Sequence, residues 1–328
     1  MTQIKDIGEH QLLKTIKKYC NQDIVGDDGA LLPVKSDQNL VITTDMLVEE
    51  VHFNQRTSPP YMVGWRSVTA NLSDLAAMGA LPVGITVALS LPPTTPLHWV
   101  ESFYQGMKAC LDQFNTPIIG GDLTGGSHKV IAITAFGQVK PHQIIARNQA
   151  KPGDLIAVTG AHGLARAGLD ILLYPEKYPH IDSKIKEKLI LAHQQPQPRL
   201  DITKILQQYQ KSPIAGMDSS DGLADAIIQI CQQSQVGAQI KRHLIPPSPE
   251  IFHITDEETA WQWILYGGED FELIICISPS LYDQFTSEIN KQITIIGEIT
   301  EKKEICLISP LNNYPKLFLN QTKTFNHF

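Results

Sequence analysis

The most constraining stretch of this chain is a short apolar run that ends in two hydroxyls and a carboxylate. Leu40-Val41-Ile42 reads as a buried strand and delivers Thr43-Thr44-Asp45 at its end, with Glu49, Glu50 and His52 close behind. Oxygen donors set at the end of a strand suit a hard cation or a phosphate. A fold built around such a stretch has to bring further polar groups to it.

Four other segments share its character. They are Gly26-Asp27-Asp28-Gly29, Gly120-Gly121-Asp122, Asp218-Ser219-Ser220-Asp221-Gly222 and Gly267-Gly268-Glu269-Asp270. Taken singly, each is turn or cap chemistry, because Asp-Gly and Gly-Asp pairs are common in turns and a Ser before a helix is an ordinary N-cap. Five on one chain point to a shared polar site. The span from Tyr61 to Met78 adds to this. It reads as a long helix closed by Gly79, and Ser67, Asn71 and Asp74 lie on it at i, i+4 and i+7. That polar stripe is either a solvent face or a carboxylate projected from a buried helix with two side chains orienting it.

Carboxylates cannot converge bare. Two unit charges at about 4 Å repel by roughly 4 kcal/mol at an effective dielectric near 20, so a shared site requires divalent cations. All-oxygen ligands select Mg²⁺, Ca²⁺ or Mn²⁺ over zinc, and Mg²⁺ held by a few carboxylates plus phosphates is the usual nucleotide arrangement. Paired glycines let backbone N–H groups approach phosphates. The standard nucleotide motifs are missing. Gly121-Asp122-Leu123-Thr124-Gly125-Gly126-Ser127 has the outline of a P-loop without its lysine, and no Gly-x-Gly-x-x-Gly or His-Arg-Asp occurs. No nucleophilic elbow or Cys/His pair is suggested either.

Composition excludes several classes. Lys and Arg number 27 against 34 acids, for a net charge of −7, and no basic run occurs, which argues against a nucleic-acid partner. The five cysteines are scattered without a Cys-x-x-Cys, which excludes a zinc ribbon and indicates a reducing cytoplasm. No apolar stretch approaches the roughly 20 residues of a membrane span, and the N-terminus lacks the pattern of a signal peptide.

At 328 residues, two domains are expected, with a boundary at the polar turn Gln149–Asp154: 1–150 and 151–328. Expected strands include Val83–Leu91, Pro117–Ile119, Val130–Val139, Leu155–Thr159, Ile214–Met217 and Phe271–Ile277. Expected helices include Pro96–Phe114, Lys184–Ala192, Arg199–Gln208, Glu257–Ile264 and Ser280–Ile289. Their order is not strictly βαβ, so the class is α+β in both halves.

Read together, these segments resemble the thiamine-monophosphate kinases, of the superfamily that includes aminoimidazole ribonucleotide synthetase and selenophosphate synthetase. The resemblance covers nearly the whole chain. It rests above all on Asn71-Leu72-Ser73-Asp74-Leu75-Ala76-Ala77-Met78-Gly79-Ala80 combined with Met217-Asp218-Ser219-Ser220-Asp221-Gly222-Leu223. It implies two α/β domains of the aminoimidazole ribonucleotide synthetase type, with an N-terminal sheet that contributes to a dimer barrel. It also implies ATP-dependent phosphorylation of thiamine monophosphate to thiamine diphosphate by a cytoplasmic homodimer. By motif match, Asp28, Thr43, Thr44, Asp45, Asp74, Asp122, Asp218 and Asp221 are the expected ligands of several Mg²⁺ ions. Asp45, Asp122 and Asp221 are the candidate catalytic carboxylates. Tyr104, Gly121, Asp122, Arg147 and Ser220 are expected on ATP, and His52, Glu269 and Phe325 on thiamine monophosphate. The alternatives are an ATP-dependent cyclase of the aminoimidazole ribonucleotide synthetase kind and a non-catalytic Mg-nucleotide binding protein. Glu49 and Glu50 are expected to be solvated acids on a mobile loop.

Overall fold

A computed structural model describes residues 2–22, 24, 30, 32–246, 248–309 and 316–319. The chain divides into two compact units, one of Met1–Leu75 with Leu81–Gln138 and one of Ala76–Ala80 with Val139–Phe328.

The first unit carries a four-stranded sheet in the order β1-β4-β2-β3, from β1 (Asn39–Val48), β2 (Leu81–Leu91), β3 (Ile118–Gly125) and β4 (Val130–Val139). β2 pairs antiparallel with β4 and parallel with β3. Its helices are α1 (Ile4–Lys17), α2 (Pro60–Ala77) and α3 (Leu97–Asp112). α2 and α3 approach closely where side chains are missing. A Cβ on Gly64 would lie 2.0 Å from the Phe103 carbonyl oxygen, and one on Gly106 would lie 1.9 Å from that of Tyr61. Val63, Leu72 and Leu75 of α2 are fully buried, as are Phe103 and Met107 of α3. Along β4, Ile131, Ile133 and Ala135 are buried while the residues between them are partly exposed, the period-2 pattern of a sheet with one covered face.

The second unit is built on a mixed seven-stranded sheet, β11-β10-β7-β9-β5-β8-β6. Its strands are β5 (Leu155–Thr159), β6 (Ala215–Asp218), β7 (Gly237–Lys241), β8 (Leu273–Ile277), β9 (Ile293–Thr300), β10 (Ile305–Ile308) and β11 (Leu317–Phe318). α4 (Leu164–Leu173), α5 (Ser183–Gln194), α6 (Leu200–Tyr209), α7 (Leu223–Ser234), α8 (Pro249–Phe252), α9 (Glu257–Tyr266), α10 (Pro279–Tyr282) and α11 (Ser287–Asn290) complete it. Its core joins Ile156 and Val158 of β5 and Ile274 of β8 to Ile171, Ile227 and Trp263 of the helices. The α+β expectation holds in both units.

Three local expectations are corrected. The apolar run at 40–42 does not end at Thr43: β1 continues to Val48, so Thr43-Thr44-Asp45 is mid-strand. Gly120-Gly121-Asp122 is likewise strand and not loop, because β3 keeps pairing β2 as far as Gly125, with Gly121 opposite Val87 and Asp122 opposite Ala88. A Cβ on Gly121 would lie 2.0 Å from the Val87 carbonyl oxygen, a close backbone approach that glycine permits. The expected helix 280–289 is two short ones, α10 and α11. Between them Phe285 is buried with edge-on contacts to Tyr209 and Tyr282 at 5.3 and 6.1 Å.

Candidate active site

In the first unit, strand alternation sorts the Thr-Thr-Asp cluster. Leu40, Ile42, Thr44 and Met46 are exposed along one face of β1, and Thr43, Asp45 and Leu47 lie on the other. The Thr43 hydroxyl donates to the Asp74 carboxylate of α2. Asp45 N–H donates to Asn71 Oδ1 at 3.2 Å, Asn71 Nδ2 donates to the Ser67 carbonyl at 3.0 Å, and Ser67 Oγ donates to the Gly64 carbonyl at 2.9 Å. The stripe is therefore not a solvent face. Ser67 and Asn71 are fully buried, and they tie α2 to the edge strand that carries Asp45. Thr44 is not brought into this group, since its hydroxyl pairs with Thr134 Oγ1 at 2.8 Å on the opposite face. Asn71→Leu should cost about 1–3 kcal/mol by leaving the Asp45 N–H without its Asn71 partner, read as a lower urea midpoint.

The segment after β1 is folded back. Val48 N–H donates to His52 Nδ1 at 3.0 Å, so that nitrogen is the acceptor and a neutral ring carries its proton on Nε2. Arg66 Nη1 donates to the His52 carbonyl at 3.1 Å and to Ser58 Oγ at 3.1 Å. Glu49 departs from expectation: it is largely buried and paired with Lys129, while Glu50 remains exposed with φ 66°. Asp122 and Gly121 are exposed on β3. Tyr104 is buried on α3, its ring stacked on Tyr19 at 5.5 Å, and burial raises its phenol pKa.

In the second unit two of the acidic segments meet. β6 ends at buried Asp218, and Ser220 Oγ donates to Asp218 Oδ1 at 3.2 Å. Ser219 N–H donates to the Glu272 carbonyl at 2.8 Å, and Glu269 N–H donates to the Ser220 carbonyl at 2.8 Å. Gly268 allows the approach: a Cβ there would lie 2.4 Å from the Ser220 carbonyl oxygen. Glu269 is held at φ 67°, and its Oε2 lies 3.5 Å from Nδ1 of buried His193 on α5. Asp221 is half-buried beside Gly222, which opens α7. Arg147, in the turn Arg147–Gln149, is exposed and donates to Gln229 Oε1 at 2.7 Å. Asp28 and Phe325 lie outside the described residues.

The sequence reading missed the support of this second group. Asp270 caps α4, accepting N–H groups from Gly163 at 2.5 Å and Ala165 at 2.8 Å. Burial pushes its carboxyl up to about 7 against those bonds. Glu272 pairs with Arg199 at 2.7 Å. No local spacing links these residues, which stand more than 70 positions apart for the Arg199–Glu272 bond.

The donors fit a hard cation. Carboxylates and hydroxyls of Thr43, Asp45 and Asp74 in one unit, and of Asp218, Ser220 and Asp221 in the other, are the oxygen types Mg²⁺ takes. Among the described residues, no group of three or more His, Cys, Asp or Glu side chains is gathered to hold a metal ion.

Comparison with known proteins places these features. Residues 26–139 match the AIR synthase related protein N-terminal domain, and residues 151–308 match the C-terminal domain of the same family. The chain is 43% identical to the thiamine-monophosphate kinase of Synechococcus elongatus over 99% of its own length and 98% of the relative's. The crystal structure of thiamine-monophosphate kinase from Stenotrophomonas maltophilia K279a superposes with a TM-score of 0.79 at 32% identity, covering 90% of this chain and 95% of that one. The complex of AaThiL with AMPPCP and TMP gives a TM-score of 0.74 at 28% identity, over 98% and 99% of the two chains. With matches of this length at both the sequence and the structural level, the chain belongs to the thiamine-monophosphate kinase family.

Proposed function

We propose that this chain phosphorylates thiamine monophosphate to thiamine diphosphate with ATP, by direct in-line transfer. The observation that carries this is the end-to-end similarity to the Synechococcus elongatus enzyme of that name, at 43% identity. The acidic segments on which the resemblance rests are here held by partly buried hydrogen bonds. The acceptor is a phosphate monoester with a second pKa of about 6, so it is largely dianionic at neutral pH and needs no general base. What the reaction needs is neutralisation and alignment of two anions. Bound Mg²⁺ supplies charge neutralisation on the phosphates.

The chain's own residues do the holding. Asp28, Thr43, Thr44, Asp45, Asp74, Asp122, Asp218 and Asp221 are assigned to Mg²⁺. The Thr44 hydroxyl pairs with Thr134 Oγ1, on the face of β1 opposite Asp45. Asp45, Asp122 and Asp221 are the carboxylates on which turnover depends. Tyr104, Gly121, Asp122, Arg147 and Ser220 are assigned to ATP, Arg147 adding positive charge. His52, Glu269 and Phe325 are assigned to thiamine monophosphate, with Glu269 hydrogen-bonding the aminopyrimidine and Phe325 stacking near it. Residues 1–150 bind nucleotide and metal and form the dimer contact, and 151–328 supply the remaining ligands. The protein works in the cytoplasm; no described helix is long and apolar enough to cross a membrane.

Mixing the protein with ATP, Mg²⁺ and thiamine monophosphate should yield thiamine diphosphate and ADP in equal amounts. ATP binding without ADP release would favour a non-catalytic binding protein. The dimer reading draws on β1, an edge strand that exposes Leu40, Ile42 and Met46 at 42%, 58% and 53% on one face. Ile42→Glu should convert a dimer to monomers in sedimentation velocity, and an unchanged sedimentation coefficient would count against this contact.

A further inference from the structure

The loop that carries Asp218, Ser220 and Asp221 is held through Ser219, to which the proposed reaction gives no part. Ser219 is fully buried. Its N–H donates to the Glu272 carbonyl at 2.8 Å, and its hydroxyl accepts the Glu272 N–H at 3.1 Å. This two-point clasp fixes the loop only if Glu272 is itself fixed, and three neighbours of its side chain do that. Arg199 Nη1 donates to Glu272 Oε2 at 2.7 Å. The Thr159 hydroxyl donates to the same oxygen while accepting the Leu273 N–H at 2.8 Å. Gly160 leaves room for the carboxylate, since a Cβ there would lie 2.0 Å from Oε1. Arg199 is oriented in turn by Asp201, whose two carboxylate oxygens accept from Nε and Nη2 at 3.0 Å each.

Arg199 and Glu272 are both largely buried, at 14% and 16% side-chain exposure. A buried ion pair is a weak source of net stability, but it is strongly directional, and Arg is suited to bridging two carboxylates in fixed geometry. Every link from Asp201 to Ser219 lies within the second unit and ends on the backbone between Asp218 and Ser220.

We propose that Arg199 and Glu272 are a positioning pair that holds the Asp218–Gly222 loop in the conformation presenting Asp218, Ser220 and Asp221 to the metal–nucleotide substrate. The proposal rests on the roles given to those three residues above. In this role the pair acts on the loop and not on substrate. Their action passes through Ser219, so it should be felt in metal and ATP dependence and not in recognition of the thiamine moiety.

The test uses the full-length protein and three variants. Glu272→Gln keeps the shape and removes the charge, and Arg199→Lys keeps the charge and removes the fork. Ser219→Ala removes the clasp hydroxyl while leaving the ion pair whole. Hydrogen exchange of metal-free protein should be about tenfold faster in peptides covering 218–222 in Glu272→Gln and Ser219→Ala, with β5 and β8 unchanged. The Mg²⁺ concentration for half-maximal rate should rise about 10- to 100-fold, with a raised KM for ATP and an unchanged KM for thiamine monophosphate. Arg199→Lys should fall between wild type and Glu272→Gln. A lower melting temperature with wild-type exchange in the loop and a wild-type Mg²⁺ midpoint would overturn the proposal, leaving the pair a structural one. A wild-type protein that makes no thiamine diphosphate would instead refute the functional reading, and loop exchange would still decide whether the pair holds the loop.

Discussion

Asp45→Asn and Asp221→Asn should each nearly abolish thiamine diphosphate formation while leaving the fold intact. The substitution is nearly isosteric and removes one negative charge, so it isolates the electrostatic part of the carboxylate. Asp45 is anchored to Asn71 through its main-chain N–H, a bond the substitution preserves. Asp221 follows Ser220, whose carbonyl remains bonded to the Glu269 N–H in either variant. Two phosphate-bearing anions brought to about 4 Å oppose each other by roughly 4 kcal/mol per unit-charge pair at an effective dielectric near 20, so each lost cation ligand falls directly on the barrier. The loss of rate should exceed the about 10- to 100-fold typical of residues that only orient a ligand. Chromatographic assay of thiamine diphosphate, beside thermal unfolding of the same preparations, checks this. Full turnover in either variant would break the assignment of these carboxylates to metal.

The second large effect is hidden in the wild type and should emerge only in variants. Two buried groups near the start of α4 titrate in opposite senses. Burial pushes Asp270 up to about 7, against about 3.9 for an unfolded chain. Between those values the folded state holds a proton that the unfolded state lacks, so this group lowers stability as pH rises from about 4 to 7. His162 is fully buried with neither ring nitrogen hydrogen-bonded among the described residues, and burial pulls it down to about 4, from about 6.5 when unfolded. Here the unfolded state takes the extra proton, and stability is lost as pH falls from about 6.5 to 4. Across most of this window each state carries one of the two protons, and the slopes cancel. His162→Leu should expose the Asp270 slope, losing on the order of 4 kcal/mol as pH climbs from 4 to 7. Asp270→Asn should expose the His162 slope, gaining on the order of 3 kcal/mol between pH 4 and 6.5. Urea unfolding at several pH values measures both. Parallel pH profiles for the two variants would show that these groups do not titrate in this way.

What could be read in advance divides by distance along the chain. α2 was visible from its apolar periodicity and the Gly79 stop, and the i, i+4, i+7 spacing placed Ser67, Asn71 and Asp74 on one stripe. Spacing could not say whether that stripe met water or another strand, and the burial of Asn71 against Asp45 answers it. The extension of β1 and β3 past Asp45 and through Gly120-Gly121-Asp122 was missed, because Asp and Gly are depleted in strands and only pairing with a neighbouring strand overrides that. The expected helix at 280–289 is interrupted between Tyr282 and Ser287, where Phe285 packs against Tyr209 and Tyr282.

The acidic segments, their oxygen-donor chemistry and the family resemblance were all determined by the sequence, since each is a matter of residue type and short-range order. Which face each side chain takes was left to the tertiary structure. Strand alternation separates the hydroxyls of Thr43 and Thr44, a consequence legible only once β1 is known to run unbroken through them. The supports of the site were also decided there. Asp270 on α4, His193 beside Glu269 and Arg199 on Glu272 join positions dozens of residues apart. Such bonds cost chain entropy to close and leave no periodic trace in the sequence, so packing alone selects them.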